Sequence, residues 1–175
     1  MKTLTLLRHA KSGWDDPVSR DFDRPLNDKG RRAARTVGRH LRDARFDHVI
    51  ASPARRVAET IEEVEAGLGR PLSPAWDDRL YLASAAALIE VVRELPAAAE
   101  HALLVGHNPG LEELVLELVP DGDAARGVVE LKYPTAAIAE LSWPGDWTAV
   151  RPGGATLVRF VRPRDLDPAL GPEQV

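Results

Sequence analysis

The stretch "TLLRHAKSGW", Thr5 to Trp14, begins as an apolar run and stops on two basic side chains, Arg8 and His9. From Thr3 to Leu7 the chain is short, apolar and β-rich, which predicts a strand in the interior of a sheet. A cationic pair at the end of such a strand raises the question of what it meets there, and the remaining strand ends suggest an answer.

After this strand comes an irregular polar stretch, Lys11 to Pro25, punctuated by Pro17 and Pro25. A helix is then expected from Asn27 or Asp28, either of which can cap it, to Ala44. Ala33, Ala34, Val37, Leu41 and Ala44 share one face of it, and Arg31, Arg35, Arg39 and Arg42 the other. A charge stripe of that kind usually marks a solvated face. "HVIAS", His48 to Ser52, reads as a second strand. "SPARRVAETIEEVEAGLG" reads as its helix, with Ser52 as N-cap, Pro53 at the first helical position and Gly69 beyond the end. A weaker strand is expected around Leu72 to Trp76, then a helix capped by Ser84 and followed by Pro96. "HALLVGHNPG" repeats the pattern, with a strand from His101 to Val105, Asn108 as cap, Pro109 in the first turn and a helix through Leu118. Ala136 to Trp143 and Ala155 to Val161 look like two further strands with turn residues between them. Strands alternating with helices predict a layered α/β fold with a largely parallel sheet.

The chain has 175 residues, 44% hydrophobic and 29% charged, enough for one domain with a real core. A single catalytic domain is expected over 1–165, and 166–175, with two prolines and little apolar content, is expected to fray. With no cysteine, neither disulfides nor thiolate chemistry is available. No apolar run approaches the roughly 20 residues of a membrane span, and no signal-peptide pattern opens the chain, so a cytoplasmic protein without membrane contact is expected. A net charge of −4 disfavours nucleic acid as the main partner.

Three strand ends share one design. Arg8 and His9 leave the first strand, Ser52 to Arg56 follow the second, and Gly106 to Asn108 follow the later one. Ligands of open α/β sheets bind outside the carboxyl ends of the strands. If these strands are neighbours, the side chains converge, and two helix N-termini aim free N–H groups at the same crevice. Taken singly, His9 is an edge histidine, Arg56 a surface arginine and His107 a loop residue satisfying a carbonyl. Taken together, two arginines and two histidines at convergent strand ends specify an anion with several oxygens, phosphate above all.

These residues resemble the histidine phosphatase superfamily, the fold shared by cofactor-dependent phosphoglycerate mutases and acid phosphatases. "LLRHA" stands where the family has Arg-His-Gly, "SPARRVAET" fits Ser-x-x-x-Arg-x-x-x-Thr, and "VGHNPG" carries the second histidine. The spacing from Ser52 to Thr60 places the family arginine on Arg56, not Arg55. "RHAKSGW", "RPLNDKG", "LYLAS", "GHNPGLEEL" and "KYPTAAIAEL" are similar to the short bacterial phosphohistidine phosphatases of the SixA type, over nearly the whole chain. Ala10, where the superfamily usually has glycine, points the same way. The resemblance implies a layered α/β/α, phosphoglycerate mutase-like fold.

It also implies that His9 is the nucleophile, that Arg8, Arg56 and His107 hold the phosphoryl oxygens, with Asn108 beside them, and that no cofactor or metal is required. No His-Glu-x-x-His ligand cluster is present. Arg24, in "RPLN", is a further phosphate-contact candidate or simply a loop arginine. In mutase-like members a glutamate protonates the leaving group, and Asp78 in "DDRLY" stands at that place, one methylene shorter, where it could instead cap or pair with Arg79. Asp15 stands where mutases carry a phosphate-contacting asparagine; a carboxylate there would repel phosphate, so it is expected to point away.

The expected activity is therefore that of a metal-independent phosphatase of the phosphoric monoester hydrolase type, acting through a phosphohistidine intermediate. Its expected substrate is phosphohistidine on a signalling or phosphorelay protein such as a histidine phosphotransfer domain. The competing readings are a phosphomonoesterase or mutase of a small phosphorylated metabolite and a non-enzymatic phosphoprotein-binding module. Little chain separates Tyr81 from the strand at His101, and the tail is short, so an open site is expected, which suits phosphate displayed on a protein.

Overall fold

A computed structural model describes residues 1–13 and 20–171. Asp15 and Pro17 therefore lie outside the described residues. Six strands, β1 (Lys2–Arg8), β2 (His48–Ala51), β3 (Ala75–Trp76), β4 (His101–Gly106), β5 (Ile138–Trp143) and β6 (Thr156–Val161), form one sheet in the order β3-β2-β4-β1-β5-β6. The first four in that order run parallel, whereas β5 is antiparallel to both β1 and β6. The carboxyl ends of β1, β2 and β4 thus lie side by side, with Arg8 in register with Gly106 and Ala51 with Val105.

The period-2 alternation of strand side chains assigns each apolar residue to a layer. Leu4 and Leu6 of β1 and Ala102 and Leu104 of β4 face α3 (Ala85–Arg93), α4 (Gly110–Leu118) and α5 (Ala124–Leu131). Leu7, Leu103 and Val105 face the opposite layer, α1 (Asp28–His40) and α2 (Arg55–Leu68). The central strands are covered on both faces, which is why their sequences read as nearly unbroken apolar runs. The result is the α/β/α sandwich expected from the sequence.

Several helix ends follow the sequence. Asn27 Oδ1 accepts the Gly30 N–H at the start of α1, and Ser84 caps α3 through the Ala87 N–H. Gly69 closes α2 with φ +81°, where a side chain would be strained. Others differ. Helix α2 starts at Arg55, not at Pro53, and Ser52 is drawn into a bond with His107. Helix α4 starts at Gly110, with Asn108 Oδ1 accepting from Glu112 N–H instead of capping from the position before Pro109. Helix α1 ends at His40, and α5, capped by Asp123, is a helix the sequence reading did not assign.

Two further differences bear on the surface. The arginine stripe of α1 is not simply solvated, because Arg31 pairs with Glu59 and Glu63 of α2, and Arg35 with Glu63. Beyond β6, α6 (Pro163–Leu166) and a 3₁₀ turn, Pro168–Leu170, continue the ordered chain. Leu170 is buried against the α1/α2 layer, so the segment up to Gly171 does not fray. No helix among the described residues is long and apolar enough to cross a membrane.

Candidate active site

The three strand ends converge as their parallel neighbourhood requires. Arg56, His107 and His9 are buried, with 3%, 3% and 8% of their surfaces exposed. The His9 and His107 rings stand 5.3 Å apart. Arg56 Nη2 lies 3.4 Å from His107 Nδ1.

His9 is held at both backbone and ring. Its N–H donates to Gly106 O on β4, and Ala136 N–H is shared between the carbonyls of Arg8 and His9. Ala136 sits in the left-handed region with φ +61°, a conformation costing a non-glycine residue about 1–3 kcal/mol that the surrounding bonds must offset. The ring Nδ1 lies 2.7 Å from Ala10 O. A carbonyl only accepts, so Nδ1 carries the proton and Nε2 keeps its lone pair. Burial depresses the His9 pKa to about 3, and His107, Arg8 and Arg56 push in the same direction against the Ala10 hydrogen bond. The imidazole is thus neutral at physiological pH, with one nitrogen free to attack.

His107 is also held neutral, its pKa lowered to about 4 by burial first and the Arg56 charge second. Its Nε2 lies 2.7 Å from Ser52 Oγ, which in turn accepts the Ala54 N–H at 3.4 Å. A guanidinium can only donate, so His107 Nδ1 accepts from Arg56 Nη2 and the ring proton sits on Nε2, which donates to Ser52 Oγ.

Arg56 is aimed by Asp21. Its Nη1 donates to Asp21 O at 2.8 Å and its Nη2 to Asp21 Oδ2 at 3.0 Å. The same carboxylate accepts from Tyr81 Oη at 2.6 Å and from Arg24 Nη1 at 3.1 Å. These bonds, the Tyr81 one foremost, pull the Asp21 pKa down to about 2. Arg24, which also donates to Ser12 O, is thus joined to Arg56 through a shared carboxylate. Tyr81 adds an edge contact to the His107 ring, with centroids 5.4 Å apart.

Arg8 donates through Nη1 to Tyr133 O at 2.9 Å, and Asn108 Nδ2 donates to the same carbonyl. The Arg8 Nε is buried without a hydrogen-bond partner among the described residues. Such an orphan donor calls for an acceptor. Burial lowers the Arg8 pKa, against opposing charge effects from Tyr133 and Glu112, but a guanidinium stays charged under ordinary conditions.

Thr60 ties the first and second motifs together. Its buried Oγ1 accepts the Ala10 N–H at 2.9 Å and donates to Arg56 O at 2.6 Å. Gly30 does similar work at the next residue: a Cβ there would stand 2.1 Å from Lys11 O, so α1 packs directly on the loop that follows His9.

The structure thus brings Arg8, His9, Arg56, His107 and Asn108 together, with Arg24 linked through Asp21. Asp78 differs. It is exposed at the start of a 3₁₀ turn, Asp78–Leu80, and its carboxylate makes no hydrogen bond to a described residue; the side chain that reaches the site from here is Tyr81, just after the turn. Asp21 is not legible in the sequence, because nothing in an irregular polar loop distinguishes one aspartate from its neighbours. Ser52, expected as a helix cap, and Thr60, the last residue of "SPARRVAET", instead hold His107 and the Ala10 N–H.

Residues 4–81 match the model of the histidine phosphatase superfamily, branch 1, a span that holds Arg8, His9 and Arg56. An uncharacterised protein of Mycobacterium tuberculosis is 36% identical over 163 residues, covering 90% of this chain and all of that one. A Nakamurella multipartitia structure, provisionally described as phosphohistidine phosphatase SixA, superposes with a TM-score of 0.78 at 32% identity, covering 93% of this chain and 96% of that chain. The structure of the protein histidine phosphatase SixA complexed with tungstate shares the fold with a TM-score of 0.77 at 24% identity, over 94% of this chain and 99% of that one. With its phosphoglycerate mutase-like α/β sandwich and the Arg-His pair closing β1, the chain belongs to the histidine phosphatase superfamily.

Proposed function

We propose that this chain is a metal-independent phosphatase in which His9 is the nucleophile and that it removes phosphate from phosphohistidine on a signalling or phosphorelay protein. The observation that carries the reading is the 2.7 Å bond between His9 Nδ1 and Ala10 O, which leaves Nε2 as an unprotonated nucleophile. In the first step the Nε2 lone pair forms a bond to phosphorus while the bond from phosphorus to the leaving nitrogen breaks, and the leaving imidazole takes up a proton from solvent water. Positive charge on the His9 ring is stabilised by the Ala10 carbonyl. Arg8, Arg56 and His107 hold the non-bridging oxygens through both steps. Water then attacks phosphorus, the bond to Nε2 breaks, and inorganic phosphate leaves.

The leaving group supports the substrate class. Among the described residues Asp21 is the carboxylate bonded to the clamp, and with its pKa near 2 it is ionised and unable to donate a proton. An alkoxide leaving from an ester needs protonation far more than an imidazole leaving from phosphohistidine. The test is a side-by-side assay of a phosphohistidine-bearing protein and a panel of sugar phosphates. Faster discharge of the phosphoprotein is expected. Efficient turnover of sugar phosphates with the phosphoprotein untouched would replace this reading with that of a metabolite phosphatase.

A further inference from the structure

The end of the sheet that carries His9 continues past β1. Because β5 is antiparallel and β6 parallel to β1, the start of β5 and the end of β6 lie at that same end. A cavity of about 630 Å³ opens there, lined by the cationic side chains of Arg8, Lys11, Lys29, Lys132, Arg162 and Arg164, with no aspartate or glutamate among the described residues of its wall. The chain as a whole carries a net charge of −4, so this concentration of one sign is local.

Among the described residues, Arg8, Lys29, Lys132 and Arg164 have no acid paired with them in the wall. Arg162 pairs with Asp165, which lies outside the lining, while Lys29 donates to Gly171 O and Arg8 to Tyr133 O, both uncharged carbonyls. The side chains of Lys132 and Arg164 form no hydrogen bond or ion pair with a described residue. Ala33 and Leu170 add an apolar floor. Arg8 belongs to both places: it lines this cavity and its charge acts on His9 and His107.

We propose that this cavity is a second anion subsite, which binds a phosphate group other than the one His9 attacks, presented by a small organic polyphosphate. A concave, cationic space of this volume suits a small ligand, whose carbon skeleton would lie on the apolar floor while its far phosphate meets Lys132 and Arg164. The inference rests on the crevice around His9 holding the phosphoryl group to be transferred, and not on that group being carried by a histidine.

The test is calorimetric binding of a hexose monophosphate and the corresponding hexose bisphosphate to the whole chain. The bisphosphate is expected to bind roughly tenfold more tightly, the advantage of a second charge-assisted contact. Lys132→Ala/Arg164→Ala should abolish that advantage. Arg39→Ala/Arg42→Ala, with equal loss of charge at the end of α1 and just beyond it, should retain it. Equal affinity for the two sugars, no binding of either, or an advantage that survives the Lys132/Arg164 change overturns the proposal. Turnover of p-nitrophenyl phosphate, measured on the same variants, reads the His9 site separately. A chain that hydrolyses this ester while binding both sugars alike lacks the subsite, not the nucleophile.

Discussion

Arg56 Nη2 and His107 Nδ1 stand 3.4 Å apart, each fixed from behind by a residue of another element. Asp21 holds the guanidinium and Ser52 the imidazole. The guanidinium is therefore fixed in place before phosphate arrives, and its donors need little reorganisation.

Arg56→Lys keeps the charge and loses the geometry. A single ammonium cannot reproduce the paired bonds to Asp21 O and Oδ2 while also pointing a donor at phosphate. The expected result is a fall of about 10²–10³ in kcat, the usual cost of one lost transition-state donor. Steady-state kinetics on a chromogenic monoester measure it, and near-normal kcat in the lysine variant would show that the guanidinium geometry is dispensable.

Asp21→Asn separates aiming from repulsion. The ionised carboxylate shares Arg56 Nη2 with any incoming phosphate and opposes its charge. Asparagine keeps an acceptor for Tyr81 and Arg56 without that charge. Inorganic phosphate is expected to inhibit more strongly by about fivefold, near 1 kcal/mol for a partly exposed charge. Weaker inhibition would mean that aiming Arg56 matters more than the repulsion.

Thr60→Val tests the tie between motifs. The exchange preserves shape but leaves the buried Ala10 N–H without its acceptor, at a cost of about 1–3 kcal/mol in unfolding free energy. Because Ala10 O also sets the His9 tautomer, kcat should fall as well. Denaturant unfolding and kinetics together check this. Lost stability with unchanged kcat would assign Thr60 to the core alone.

Stability should depend on the two buried histidines in mild acid. Both pKa values are depressed, to about 3 for His9 and about 4 for His107, whereas an unfolded histidine titrates near 6.5. Their neutral forms favour folding fully above about pH 6.5. As pH falls toward 4, the unfolded chain takes up protons at both positions while the folded chain does not, so stability drops. Between about 4 and 3 the His9 contribution continues to fall. Each histidine adds a slope of at most about 1.4 kcal/mol per pH unit. Urea unfolding of wild type and His9→Asn/His107→Gln should give curves that differ in slope between pH 6.5 and 4, and superimposable pH profiles would contradict the burial of neutral rings.

The convergence of Arg8, His9, Arg56 and His107 was legible because it depends on strand ends, which apolar runs and turn residues mark in one dimension. What supports those residues was not. Asp21 reaches Arg56 across 35 positions, Tyr133 reaches Arg8 across 125, and Thr60 reaches Ala10 across 50. Contacts of that span follow from the packing of α2 and β5 against β1, which no local pattern encodes. Ser52 shows the related error. Serine before proline suits an N-cap, but here the hydroxyl is taken by His107, and the helix gives up its first residues. Asp78 was placed by motif alignment alone, and the fold exposes it.

The most direct measurement is to trap the phosphorylated enzyme. The chain is mixed with phosphoramidate or a phosphohistidine protein, quenched in base, and its peptides are mapped by mass spectrometry. An acid-labile phosphoryl group on His9, lost in His9→Asn and dependent on Arg56, is the expected result. Turnover that continues with no phosphoryl group on His9 for any donor, or with the label on another residue, would contradict His9 as the nucleophile.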